Sequence, residues 1–168
     1  MAAALELNLD TLTVRELAAR LGVSHGALYR WVPGRDELLD LISEVIVERI
    51  MPADEPQPGQ WRTWLHRLAW AMHDEFLAVP GYATRTARPH RHSPASFGRL
   101  RTGVIAAFTA AGASPEMAEQ SWYIFGTSVV GWLAATENPL ALGESDPDFG
   151  VFVDALLRGL PAQEPPGT

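Results

Sequence analysis

Helix start and stop signals recur along this chain and constrain its fold more than any other feature. Thr13 followed by Glu16 has the pattern of an N-terminal capping box, and Gly22 is typical of a helix end. The tripeptide Ser-Pro-Glu that begins at Ser114 is a second start, with proline at the first helical position. Apolar residues recur at helical spacing between such signals, and no stretch alternates as a strand would. We therefore expect an all-α fold.

A proline-rich segment divides the chain into two parts. Residues 52–59 contain three prolines and two acidic residues, which is typical of a connector. We expect a head over residues 1–51, a helical body over 60–160 and a disordered tail over 161–168. In the body, helices are expected over 61–79, 95–111, from Pro115 onward and over 149–160, whereas 80–94 should be irregular.

Charge and composition limit the classes of function. The net charge is −7, but the segment from Thr13 to Arg35 carries four arginines and one acidic residue, so a basic surface is local to the head. The sequence has no cysteine, which excludes thiolate metal sites and fits a reducing compartment. The longest apolar run, 122–135, is shorter than a membrane span needs. No catalytic motif is present, so we expect neither an enzyme nor a cofactor.

Two short helices joined at Gly22 are typical of a helix-turn-helix unit. The head resembles that of the TetR/AcrR family over LTVRELAARLGVS (12–24), GALY (26–29) and PGRDELL (33–39). The body from Trp61 onward is similar to the family's tetracycline-repressor-like C-terminal domain. The resemblance implies a cytoplasmic, homodimeric transcriptional repressor that binds operator DNA with two half-sites. A small-molecule effector would release the repressor from that operator.

The resemblance also implies which head residues contact DNA. Thr13 and Tyr29 match positions that usually touch phosphates, and Arg15 matches one that reaches a base edge or the backbone. Segment 24–30 would be the recognition helix, and Arg35 would hold a phosphate at a helix N-terminus. The expected DNA-binding residues are Thr13, Arg15, Ser24, His25, Gly26, Ala27, Tyr29, Arg30, Trp31 and Arg35.

The head departs from the family pattern at its start. The family's first helix has about four turns, whereas only residues 2–7 stand in its place here, so we expect a truncated first helix. This leaves an alternative function open: a helical ligand-binding or interaction protein whose head no longer binds DNA.

The body offers candidates for a ligand pocket and a dimer interface. Apolar and aromatic side chains predict a pocket lined by Trp64, Leu68, Met72, Phe76, Phe108, Trp122 and Phe125. The helix after Ser114 is apolar on nearly all sides over 122–135, so we expect it to be buried on most sides. Its small residues suit a four-helix dimer interface together with the final helix, and an intramolecular core helix is the alternative. These small residues are Gly126, Thr127, Ser128, Gly131, Ala134 and Ala135.

Two clusters of basic side chains are candidates for a binding site. His66 and His73 lie two helical turns apart, roughly 10 Å, so we favour ordinary surface histidines over metal ligands. An arginine-rich patch could attract an anionic ligand, although a solvated loop is the favoured interpretation. The patch comprises Arg85, Arg88, His90, Arg91, His92, Arg99 and Arg101.

Overall fold

The computed structural model describes residues 13–20, 22, 24, 26, 34–88, 94–138 and 146–163. These residues form helices joined by turns, with no strand among them, so the all-α prediction is confirmed. The helices are α1 (Val14–Arg20), α2 (Arg35–Ile50), α3 (Trp61–Leu77), α4 (Tyr82–Ala87), α5 (Pro94–Ala110), α6 (Pro115–Glu137) and α7 (Phe149–Arg158). Within these described ranges, no helix is both long and apolar enough to cross a membrane.

Helix α3 is the centre of the body. It contacts the other five helices from α2 to α7, and one whole side of it is buried. The buried residues are Trp61, Trp64, Leu65, Leu68, Ala69, Met72 and Phe76. Burying an aromatic or large aliphatic side chain contributes about 1.5–3 kcal/mol, so this face supplies much of the free energy that holds the bundle together.

Helix α2 links the head segment to the body. Leu38, Ile42, Ile46 and Ile50 recur every four residues along it and are almost completely buried. This stripe packs in the same core as α3, whereas Leu41 on another face is 41% exposed.

The prediction of an irregular stretch over 80–94 was wrong for Tyr82–Ala87, which form α4. Gly81 has a φ of +82°, a backbone conformation that side-chain-bearing residues rarely adopt, and it turns the chain into this helix. The carboxylate of Glu137 then accepts the N–H groups of Gly81 and Thr84 from across the bundle. A helix of six residues is too short to show a periodic apolar pattern, and the carboxylate that caps it is distant in sequence.

Helix α6 begins as predicted, because the Ser114 hydroxyl accepts the Met117 N–H at 3.3 Å. The expectation that its apolar stretch is buried on most sides holds for two faces and is wrong for the third. Tyr123 is 68% exposed and Ile124 38% exposed, and Thr127 and Gly131 are exposed beside them. The described residues leave this face of α6 open.

Helix α7 and the residues after it close the core. Phe149, Val153 and Leu157 are buried, as is Leu160 beyond the helix end. The Ala162 N–H donates to Ser121 Oγ at 2.8 Å, so the first residues of the expected tail pack against α6. Residues 164–168 of that tail lie outside the described residues.

Candidate functional site

The head begins with a reciprocal capping box. The Glu16 N–H donates to Thr13 Oγ1 at 3.2 Å, and Glu16 Oε2 accepts both the hydroxyl and the backbone N–H of Thr13 at 2.8 Å. These two bonds to the carboxylate lower the pKa of Glu16, the hydroxyl contributing most. The predicted capping box is confirmed. It holds Thr13 and Arg15, both exposed, at the N-terminal end of α1.

The turn after α1 also agrees with the prediction. Gly22 has a φ of +67°, and its N–H donates to the Ala19 carbonyl at 3.2 Å, which ends the helix. Ser24 and Gly26 are exposed, and a Cβ added at Gly26 would meet none of the described residues within 4 Å.

The remaining expected DNA contacts are only partly described. Arg35 is the first residue of α2, with only its backbone described. The other members of the predicted set, His25, Ala27, Tyr29, Arg30 and Trp31, lie outside the described residues, as do residues 2–7 of the expected truncated helix.

The body contains a cavity of about 410 Å³ between five helices. Helix α2 contributes Ser43 and Val47 to its wall. Helices α3, α4 and α5 contribute Met72, Phe76, Tyr82, Thr86, Ala87, Ser96, Phe97 and Leu100, and α6 contributes Trp122, Tyr123, Phe125, Gly126, Thr127, Val130 and Gly131. This volume is in the range of small-molecule sites, which are mostly apolar with a few placed polar groups.

Four of the seven residues expected in a pocket line this cavity: Met72, Phe76, Trp122 and Phe125. The other three are buried outside its lining. Trp64 donates its indole N–H to the Asp54 carbonyl at 2.7 Å, Leu68 is enclosed in the core, and Phe108 packs against Trp61 with ring centroids 6.1 Å apart. Along one helix the sequence pattern identifies buried residues, but it does not distinguish a cavity wall from filled core.

Sequence reasoning missed the polar part of the cavity, which lies on α2 and α4. The Tyr82 hydroxyl donates to Ser43 Oγ at 3.1 Å, and Thr86 is its second hydrogen-bond partner. Burial raises the pKa of Tyr82, so the phenol stays protonated and uncharged. The only available signal was that Ser43 interrupts the apolar pattern of α2 beside the buried Ile42.

Three arginines of the expected basic patch are engaged by acidic side chains. Arg85 lies 3.5 Å from Asp36, Arg99 lies 2.9 Å from Glu44, and Arg101 contacts Glu119. Arg88 is exposed, and residues 89–93 of the patch lie outside the described residues. The patch is thus partly neutralised by carboxylates of α2 and α6.

The two histidines of α3 face different carboxylates. His66 Nε2 lies 3.7 Å from Asp154, and His73 Nδ1 lies 2.9 Å from Asp74. The His73 ring also stacks on Phe149 with centroids 4.6 Å apart. Within the described ranges, no three acidic or histidine side chains converge as metal ligands.

Comparison with known proteins relates the chain to transcriptional regulators. The sequence matches no family model. Over 64 residues it is 39% identical to the HTH-type transcriptional repressor DrrR1 of Streptomyces coeruleorubidus, an alignment that covers 36% of this chain and 23% of that repressor. The aligned part is thus less than a quarter of the repressor's length.

Solved structures match over almost the full length of the chain. A variant of TetR from Acinetobacter baumannii AYE, in complex with minocycline, is 30% identical with a TM-score of 0.73, covering 94% of this chain and 92% of that one. BioQ of Mycobacterium smegmatis is 26% identical with a TM-score of 0.73, covering 96% and 94%. A structure of BioQ with its double-stranded DNA operator is 24% identical with a TM-score of 0.71, covering 96% and 95%. The chain therefore belongs to the TetR family of transcriptional regulators.

Proposed function

We propose that this protein is a repressor that binds operator DNA as a homodimer and leaves it when a small molecule occupies the cavity. One observation carries the proposal: α2 begins at Arg35, directly after the helix-turn-helix segment, and its Ser43 and Val47 form part of the cavity wall. The same helix therefore belongs to the DNA-binding and the ligand-binding parts.

The contacts of α2 suggest how occupancy would reach the head. Ser43 accepts the Tyr82 hydroxyl, and Glu44 accepts the Ser96 N–H at 3.0 Å and pairs with Arg99. These bonds join α2 to α4 and α5, the helices that a ligand would touch. A ligand that favours a different spacing of these helices shifts the population towards a head geometry that no longer fits DNA.

The head residues named by the family resemblance would make the DNA contacts. Thr13 and Arg15 are exposed at the start of α1, and Ser24 and Gly26 are exposed after the turn. In a dimer, two such heads would enter successive major grooves roughly 34–36 Å apart, which requires an operator with two half-sites. BioQ, with the same fold, has been solved on its operator.

The exposed faces of α6 and α7 would form the dimer interface. Tyr123 and Ile124 of α6 are 68% and 38% exposed and Val151 of α7 is 65% exposed, so the described residues leave much of these large apolar side chains uncovered. Gly131 and Thr127 between them are small enough to allow another helix to approach closely. Since a two-fold axis presents the same patch twice, these helices can bury each other in a four-helix arrangement. The proposal places the protein in the cytoplasm with its operator DNA, and a chain without cysteine needs no oxidising compartment to form disulfides.

A gel-shift assay with DNA from the promoter region of the protein's own gene tests the DNA-binding part. We expect binding that weakens with salt, and a loss of about 1–3 kcal/mol in Arg15→Ala. Arg158→Ala, which removes an exposed arginine at the far end of the body, should bind as the parent does. If the folded dimer does not bind at low salt, the alternative of a ligand-binding protein without DNA recognition is favoured.

The ligand-dependent part is tested separately. Small molecules that co-purify with the protein are identified by mass spectrometry and added back to the protein–DNA complex. We expect the complex to dissociate, and we expect the molecule to bind less well to Ala87→Trp, which places a large ring at an exposed position of the cavity wall.

A further inference from the structure

The cavity wall is uncharged. Among the lining residues that the structure describes, none is an aspartate, glutamate, arginine, lysine or histidine. Tyr82 is an ionisable residue of the wall. It is buried, and it remains a neutral phenol because burial raises its pKa. A ligand that entered with a formal charge would find no opposite charge on these walls.

Two carboxylates close to lining residues, Glu44 and Glu137, are engaged by other partners. Glu44, one residue from Ser43, accepts the Ser96 N–H and pairs with Arg99. Glu137, at the end of α6, accepts hydrogen bonds from the first turn of α4. Recruiting either carboxylate to a cationic ligand would break these bonds, and burying an unpaired charge is far more costly than burying a neutral polar group.

Aromatic rings dominate two parts of the wall. Phe97 and Trp122 meet edge-to-face with centroids 5.7 Å apart and planes at 71°. Phe76 and Tyr82 meet at 4.7 Å and 89°. Pairs in this orientation leave ring faces and edges on which a flat, unsaturated ligand can pack, and such contacts favour rings over flexible chains.

Three of the six hydroxyl-bearing residues in the described lining form one hydrogen-bonded group. Ser43, Tyr82 and Thr86 lie together on α2 and α4 and form one hydrogen-bonded group. On the α6 side, the Thr127 hydroxyl donates to the carbonyl of Tyr123 in its own helix at 2.7 Å. A polar substituent of a ligand would therefore find donors and acceptors near α2, the helix that leads to the head.

From these observations we infer that the cavity binds an uncharged, flat ring compound whose hydroxyl or carbonyl group lies against Ser43, Tyr82 and Thr86. The inference rests on the proposed ligand-binding function and specifies the chemical class of the ligand. Anionic and cationic compounds of the same shape should bind more weakly, because the lining residues that the structure describes offer them no counter-charge.

A matched set of fluorescent probes tests this assignment: 1-pyrenemethanol, 1-methylpyrene, 1-pyrenecarboxylate and 1-pyrenemethylammonium. They share one ring system and differ in a single substituent. We expect the neutral alcohol to bind tightest and both charged probes to bind at least about tenfold more weakly, since tenfold corresponds to about 1.4 kcal/mol. The alcohol should also bind several-fold more tightly than methylpyrene, and Tyr82→Phe should remove that advantage.

Two blocking variants and one control locate the binding. Ala87→Trp adds a ring at an exposed position of the wall, and Leu100→Trp enlarges a half-buried side chain of the wall on α5; each should reduce binding of the alcohol at least about tenfold. Thr109→Trp changes an exposed threonine of α5 that also bonds its own helix, at Ile105, but lies outside the cavity lining. It should bind the alcohol as the parent does.

The outcomes separate the inference from the proposed function. If a charged probe binds as tightly as the alcohol and its affinity falls in the blocking variants, the cavity is a ligand site but the assigned chemical class is wrong. If correctly folded Ala87→Trp and Leu100→Trp leave all four affinities unchanged, the cavity does not take ring compounds, and the proposed ligand site fails with the inference.

Discussion

Glu137 Oε2 lies 2.8 Å from the backbone nitrogen and 2.6 Å from the hydroxyl of Thr84, more than 50 residues away in sequence. Its other carboxylate oxygen accepts the Gly81 N–H at 2.9 Å. The first N–H groups of a helix have no partner inside it, and a negative charge there is favourable. Glu137 therefore caps α4 from another helix and holds Tyr82 and Thr86 against the cavity.

Replacing Glu137 by alanine should destabilise the body. The variant leaves the donors of Gly81 and Thr84 without their acceptor, which costs about 1–3 kcal/mol. Urea unfolding followed by circular dichroism measures the loss. Glu119→Ala is the matched control on the same helix, since its exposed pair with Arg101 is worth about 0–1 kcal/mol. Equal losses in the two variants would show that Glu137 has no special role.

The hydrogen bond between Tyr82 and Ser43 should couple α4 to α2 energetically. A double-mutant cycle of Tyr82→Phe and Ser43→Ala measures this coupling and separates it from the other contacts that the two side chains make. We expect an interaction free energy of about 0.5–1.5 kcal/mol from denaturant unfolding. Strictly additive effects would mean that the bond does not hold the two helices together.

Removing the Thr13 hydroxyl should raise the pKa of Glu16. That hydroxyl is the main cause of the lowered pKa, so in Thr13→Ala the value moves up towards the ordinary 4.5, and the backbone bond remains. Carboxyl NMR titration measures the change, and Thr109→Ala serves as a control that leaves the Glu16 pKa in place.

The same bond sets a pH dependence of the head. The pKa of Glu16 is lower in the folded than in the unfolded chain, so its contribution to stability is complete above the unfolded value. It is lost as the pH falls through the lowered value. The difference in head stability between the parent and Thr13→Ala should shrink on acidification, and a difference independent of pH would contradict the carboxylate's part in the cap.

A carboxylate on the proposed dimer interface should dissociate the dimer. Ile124→Asp and Val151→Asp each place two unpaired charges at a two-fold interface and should weaken dimerisation by about tenfold or more. Analytical ultracentrifugation measures the dissociation constant. Leu41→Asp is the control, because Leu41 on α2 is as exposed as Ile124 but lies on another face. If Leu41→Asp alone dissociates the dimer, the interface lies elsewhere.

The helix ends that the sequence predicted are those whose cause lies within a few residues. Thr13 and Glu16 are three residues apart, as are Ser114 and Met117, and both caps are present as expected. Gly22 ends α1 by adopting a positive φ that it alone can adopt without strain. Because these signals are local, the all-α class and the head pattern could be identified before any contact was known.

The cavity depended on contacts between helices that are distant in sequence. Met72 and Phe76 line it while Trp64 and Leu68 fill the core, although all four share one buried face of α3. Whether each residue lines the cavity or fills the core depends on which side chains of other helices lie opposite it. The periodicity of one helix does not contain that information. The open face of α6 has the same origin, since an apolar helix exposes whichever side finds no partner in the bundle.

The amino-acid sequence by itself thus determined the helical class, the capped start of the head and the family to which the chain belongs, because each rests on local chemistry or on a contiguous motif. Only the tertiary structure decided the existence of α4, its cap at Glu137, and the uncharged cavity that Tyr82 and Ser43 share. Those features arise where separate helices meet, because tertiary packing determines which of several apolar helix faces becomes buried.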